Sequence, residues 1–66
     1  MTTQDFAIER HRSEVRLLIR AYADPGREWV VDYLNSPKVK GRRAALVADI
    51  KDQREKGNTG KEGVWL

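Results

Sequence analysis

The chain has no cysteine, one histidine and one methionine, and these shortages exclude several chemistries at once. Without cysteine there is no disulfide framework, no thiolate zinc site and no thiol nucleophile. A single imidazole, His11, cannot build a histidine-rich metal centre. Long apolar runs are missing too. Large apolar side chains come only three together, as in Leu17-Leu18-Ile19 and Trp29-Val30-Val31. Neither a membrane span nor a signal-peptide core fits such short runs, so the expectation is no membrane insertion and a cytoplasmic protein. Size is the last shortage. At 66 residues the chain is one domain, and folds below roughly 70–80 residues draw only ~3–5 kcal/mol from one core and usually need a staple. With disulfides and metals set aside, a homodimer or ordering on a partner is the expected way to complete the core.

What is present is patterned and highly charged. Hydrophobic residues make up 39% and charged residues 35%, too apolar and too regular for disorder. Thirteen Lys and Arg against ten Asp and Glu leave a net charge of +3. The two signs are interspersed, so this excess serves solubility as well as it serves an anionic partner.

Residues 3–23 read as a first helix, with Thr2 or Thr3 as its cap and Asp5 and Glu9 toward its positive end. Ile8, His11, Val15, Leu18 and Tyr22 recur at helical spacing and form one apolar stripe, widened by Ile19. Phe6 and Leu17 fall on the opposite side, as a second contact surface would require. Asp24-Pro25-Gly26 punctuates the chain, with Asp24 as cap and Pro25 in the first turn of a helix over 25–35. That helix carries Trp29, Val30, Val31, Tyr33 and Leu34, so more than one of its faces needs cover. Asn35-Ser36-Pro37 predicts the next start, Ser36 capping a helix over 37–56 with Val39, Leu46, Val47 and Ile50 on one stripe. Gly41 costs about 1 kcal/mol inside that helix and weakens its first turn. Gly57-Asn58 is a stop signal. The expectation is therefore an all-α, small three-helix protein, its first helix antiparallel to its third. Residues 1–56 form a single helical domain, and a glycine-rich tail over 57–66 ends in Val64-Trp65-Leu66.

Catalysis finds little support. His11 has no acid at a motif spacing, and Ser13, Ser36 and Thr59 lack a nucleophile context. Gly57-Asn58-Thr59-Gly60-Lys61 lacks the spacing and flanking elements of a phosphate loop. No enzyme, no catalytic residue, no metal and no cofactor is expected. Two binding surfaces stand out instead. Trp29 and Tyr33 share a face at i, i+4, and with Leu17 and Trp65 they form a candidate protein-binding surface, Trp and Tyr being the side chains most enriched in hot spots. Trp65, on its glycine-rich strap, either docks back on the bundle or is held out for a partner. Lys38, Lys40, Arg42 and Arg43 are the candidate nucleic-acid-binding residues, four cations in six positions at a helix start. A short helix, a break and a longer basic helix also suit a helix-turn-helix. Against this, Lys38 and Lys40 do not share a helix face, and Asp49, Asp52 and Glu55 follow on the same helix.

Glu14-Val15-Arg16, the Trp-containing second helix and Lys40-Gly41-Arg42-Arg43-Ala44-Ala45 leading to Ala48-Asp49-Ile50 resemble small uncharacterised proteins of bacteriophages and prophages. The closing Gly57-Asn58-Thr59-Gly60-Lys61-Glu62-Gly63-Val64-Trp65 resembles their Gly-Asn-x-Gly-x-x-Gly-x-Trp tail, and the likeness spans residues 13–66. The chain departs from that pattern at Val64, where an aspartate is common, and at Ser13, where a cysteine often stands. The resemblance implies a phage gene of the early, host-takeover region of Mu-like phages. Proteins of that kind bind and disable a host protein, as quorum-sensing anti-activators, pilus-motor inhibitors and anti-CRISPR proteins do. The function so implied is a non-enzymatic inhibitor of a host regulator or machine, acting in the bacterial cytoplasm. The alternative is a small DNA-binding regulator.

Overall fold

Three α-helices and no strand make up the described residues, 3–25 and 27–66, of the computed structural model. The capping side chains of Thr2 and Thr3 and the turn residue Gly26 lie outside what is described. The first helix, α1, spans Thr3–Tyr22. Its stripe goes inside from the third turn onward: Val15, Leu18 and Ile19 are buried. Ile8, expected in the same stripe, is 44% exposed and lines a shallow cleft with His11, Asp49 and Trp65. Phe6 and Leu17 are exposed, on the side their spacing indicates.

The second helix, α2, spans Glu28–Leu34 and starts three residues later than the punctuation predicts. Asp24 does not cap it. Its N–H still bonds the Ala21 carbonyl at 3.1 Å, so it closes α1 instead. Arg27 takes the cap position without a side-chain bond. The expected helix over 37–56 is likewise divided. Ser36 caps as predicted, its Oγ accepting from the Lys38 N–H at 3.2 Å, but what it caps is a single 3₁₀ turn, Pro37–Val39. Gly41 lies in the break that follows, and the third helix, α3, spans Arg43–Glu55. The cost of glycine in a helix and the burial of Val39 within the turn both favour the division.

Val15, Ile19, Val39 and Leu46 form the centre of the core, with Tyr33, Leu34, Ile50 and Trp65 packed around it. The helices α2 and α3 each pack on α1 and scarcely on each other. The expected antiparallel pairing of first and third helices is not what forms. On one flank of α3, Arg42 and Asp49 reach Glu14 and His11; on the other, Arg54 reaches Tyr22 at the far end of α1. Opposite flanks of one helix meeting successive stretches of the other describe a steep crossing.

The segment that does run antiparallel to α1 is the strap, residues 57–66. Asn58 and Thr59 lie by Ile19 and Tyr22, Gly60 by Arg16 and Arg20, and Trp65 by Arg12. Trp65 thus docks on its own chain. Among the described residues, no helix is long and apolar enough to cross a membrane.

Candidate functional site

Four surfaces bear on function, and the first is built on a polar junction of all three helices. Tyr33 of α2 donates its hydroxyl to the Glu14 carboxylate of α1, and Arg42, just before α3, donates to the other oxygen at 2.6 Å. Burial raises the Glu14 pKa, but the bonds from Arg42 and Tyr33 and the nearby positive charge outweigh it and hold the carboxyl below its ordinary value. The same carboxylate, with some help from burial, pushes the Tyr33 hydroxyl up. Since the folded pKa of Glu14 lies below its unfolded one, its contribution is complete at neutral pH and is lost as pH falls below 4.5 toward the folded value. The expected result is a fall in the urea midpoint between about pH 5 and pH 3 that is steeper in the native chain than in Glu14→Gln. Equal slopes for the two would remove the junction from the stability account.

Tyr33 is therefore half-buried and occupied, whereas Trp29, one turn earlier on the same flank, is 48% exposed. Leu17, equally exposed at 48%, lies with Ser13, Arg20, Gly60 and Glu62 beside the strap. Trp65 is on the strap itself, half-buried, with the Arg12 guanidinium 5.3 Å from its ring centre. The four aromatic and apolar candidates thus divide between helix α2, the outer side of α1 and the strap, and only Trp29 and Tyr33 share a face.

The strap is held by two polar residues, Gln53, which sits at i+7 from Leu46 on the inward stripe of α3, and Asn58, which lies beyond any helix. The Gln53 amide donates to the Leu66 carbonyl at 2.8 Å and accepts from the Leu66 N–H at 2.8 Å and from Asn58 Nδ2 at 2.9 Å. Asn58 also donates to the Val64 carbonyl and accepts from the Gly60 N–H. The sequence signals for this network were the place of Gln53 on the Leu46–Ile50 stripe and the Gly-Asn-x-Gly spacing; Gly57, Gly60 and the later Gly63 all have positive φ. Near the strap's end His11 Nε2 and Asp49 Oδ2 are 2.6 Å apart. This pair spans thirty-eight positions, beyond any local motif.

A trough runs between α2 and α3. It has a volume of about 510 Å³, with Leu18 and Tyr22 of α1 as its floor, Val31 and Leu34 on one wall and Val47 and Ile50 on the other. Val31 and Val47 are 49% and 39% exposed, although Val47 was expected on the core stripe. Its neighbour Leu46 takes the inward position, and consecutive helical residues diverge by about 100°. At one end the guanidiniums of Arg27 and Arg54 both lie over the Tyr22 ring, 5.4 and 5.1 Å from its centre.

The basic cluster is not carried by a helix start. Lys38 lies in the 3₁₀ turn, Lys40 at its end, Arg42 in the break and only Arg43 in α3. Arg42, though exposed, is also committed to Glu14, leaving Lys38, Lys40 and Arg43 as the exposed cations of the cluster without an ion pair among the described residues. Among the described residues no cluster of three potential metal-ligating side chains occurs. Comparison with protein-family models, with curated proteins and with solved structures gives no match, and the reading of these surfaces rests on their own geometry and charge.

Proposed function

We propose that this protein is a non-enzymatic interaction protein that binds another protein through the exposed flank of α2 and blocks it. The observation that carries the reading is Trp29, a half-exposed indole on a short helix whose next turn is tied down through Tyr33, Glu14 and Arg42. An aromatic anchor presented from a fixed support loses little freedom on binding, which is how a few side chains supply most of an interface's affinity. Leu17 adds a second exposed apolar side chain, while Trp65 supports the fold from within the strap. The resemblance to small phage proteins supplies the class of target: a host protein such as a transcriptional regulator, a quorum-sensing activator among them, or a host machine, met in the cytoplasm of a bacterium. Inhibition is steric or conformational, with no chemical step.

The test is a binding measurement on a purified partner first captured from host lysate. Trp29→Ala, shown by circular dichroism to keep its helices, is expected to weaken the complex by about 2 kcal/mol, roughly thirtyfold. Lys40→Ala with Arg43→Ala, which spares the Arg42–Glu14 pair, is expected to leave binding intact. A partner that binds the Trp29 variant at native affinity refutes this surface. The second reading, a DNA-binding regulator, draws on the exposed Lys38, Lys40 and Arg43. It predicts a gel-shift complex that weakens steeply with salt and with loss of those cations. No complex at low salt removes it.

A further inference from the structure

The trough between α2 and α3 lies on the other flank of α2 from Trp29, since Trp29 and Val31 are about 200° apart around the helix. Each wall presents one exposed valine with charged side chains nearby. On α2, Glu28 and Asp32 share an exposed stripe at i, i+4 on the outer side of Val31, above the trough rather than lining it, and Glu28–Leu34 holds no basic residue. On α3, Val47 stands with Lys51 and Arg54 at i+4 and i+7, one stripe of the helix. Among the described residues none of Glu28, Asp32, Lys51 and Arg54 takes part in an ion pair. They do not pair with one another within the chain; the trough lies between the helices that carry them. Glu55 also lies on the α3 rim, but Lys51, Arg54 and the neighbouring Arg27 leave that end positive.

We propose that a second copy of this chain closes the trough, the acidic stripe of α2 in each protomer lying on the basic stripe of α3 in its partner. The two stripes are complementary in sign, and each lies beside an exposed valine. Because one chain carries both, a two-fold axis makes the contact twice with every surface matched, the self-complementarity that a symmetric dimer needs. A foreign acidic helix would satisfy α3 and leave the carboxylates of α2 without partners. Closure also covers Val31 and Val47, in a chain too small to be stabilised generously by its own core. Trp29 lies at the edge of this contact, one turn from Asp32 and across the helix from Val31.

The test is sedimentation equilibrium of the full chain from micromolar to millimolar concentration. A mass of twice 7.6 kDa is expected, with association weakening as salt rises. Two charge reversals decide the geometry: Glu28→Lys with Asp32→Lys, and Lys51→Glu with Arg54→Glu. Each alone sets like charges face to face in both contacts and is expected to raise the dimer dissociation constant roughly tenfold or more. An equimolar mixture of the two restores opposite charge in both contacts, and recovery of native-like association as a heterodimer is expected. A native chain that stays at 7.6 kDa throughout, reversals without effect, or a mixture that fails to recover would each overturn the proposal. If a reversal disturbs the helices, Val31→Ser with Val47→Ser serves instead, with a folded monomer expected and an undiminished dimer counting against this face.

Discussion

Gly60→Ala is expected to destabilise the fold by about 3 kcal/mol or more, a large part of what so small a domain possesses. Two effects combine. The residue has φ +86, which an alanine adopts only with strain. In addition, an added Cβ would sit 2.5 Å from the Arg16 carbonyl oxygen and 2.6 Å from the Arg20 nitrogen. Both are backbone atoms of a hydrogen-bonded helix and cannot swing aside as a side chain could. The strap must therefore lift from α1, and the Gly60 N–H then loses the Asn58 oxygen that it bonds at 2.8 Å. A urea titration followed by circular dichroism measures the loss. Gly41→Ala is the control: nothing lies within 4 Å of its Cβ position and its φ is not positive. There the midpoint is expected to hold or rise, by about 0.4–1 kcal/mol in the favourable case. Equal midpoints for the two variants would contradict the close approach of strap to helix.

The second large effect is expected at Gln53. It is 1% exposed on a helix whose neighbours Lys51, Asp52 and Arg54 face solvent. Gln53→Leu keeps roughly the volume and removes three hydrogen bonds to Leu66 and Asn58. It also leaves the buried Asn58 amide with fewer partners, and unmet buried polar groups cost about 1–3 kcal/mol each. A destabilisation of about 2 kcal/mol or more is expected, concentrated in the strap. Trp65 reports it directly. In a Trp29→Phe background its emission is expected to shift to the red at urea concentrations where the helices remain, because the strap releases first. An emission that moves only with global unfolding would show the strap and the helices to be one cooperative unit.

The legibility of this chain in its sequence is uneven for a physical reason. Helix periodicity and punctuation act over a few residues, so Val15, Leu18, Ile19 and Leu46 could be placed inside from spacing alone. Ser36-Pro37 was legible as a start, and Gly41 as a weakness, because both act on the backbone next to them. What could not be read is how far each start extends. Asp24 closes α1 rather than opening α2, since its N–H has a carbonyl of α1 within reach. The candidate sites show the same limit. Trp29 and Tyr33 share a face by spacing, yet which of them is occupied depended on Glu14, nineteen positions away.

By itself, then, the sequence determined an all-helical chain with three apolar segments, its stops, and a glycine-rich tail, because these follow from composition, local sterics and the helical repeat. Only the tertiary structure decided that α3 crosses α1, that the strap takes the antiparallel place beside α1, that Asn58 goes inside to meet Gln53, and that His11 meets Asp49. Each of those depends on which distant segments close on one another. That choice is made by the joint packing of faces and the satisfaction of buried polar groups, and no window of neighbouring residues contains it. The size that made a staple necessary found one in the folded chain as well: a strap of ten residues, locked by an asparagine and a glutamine.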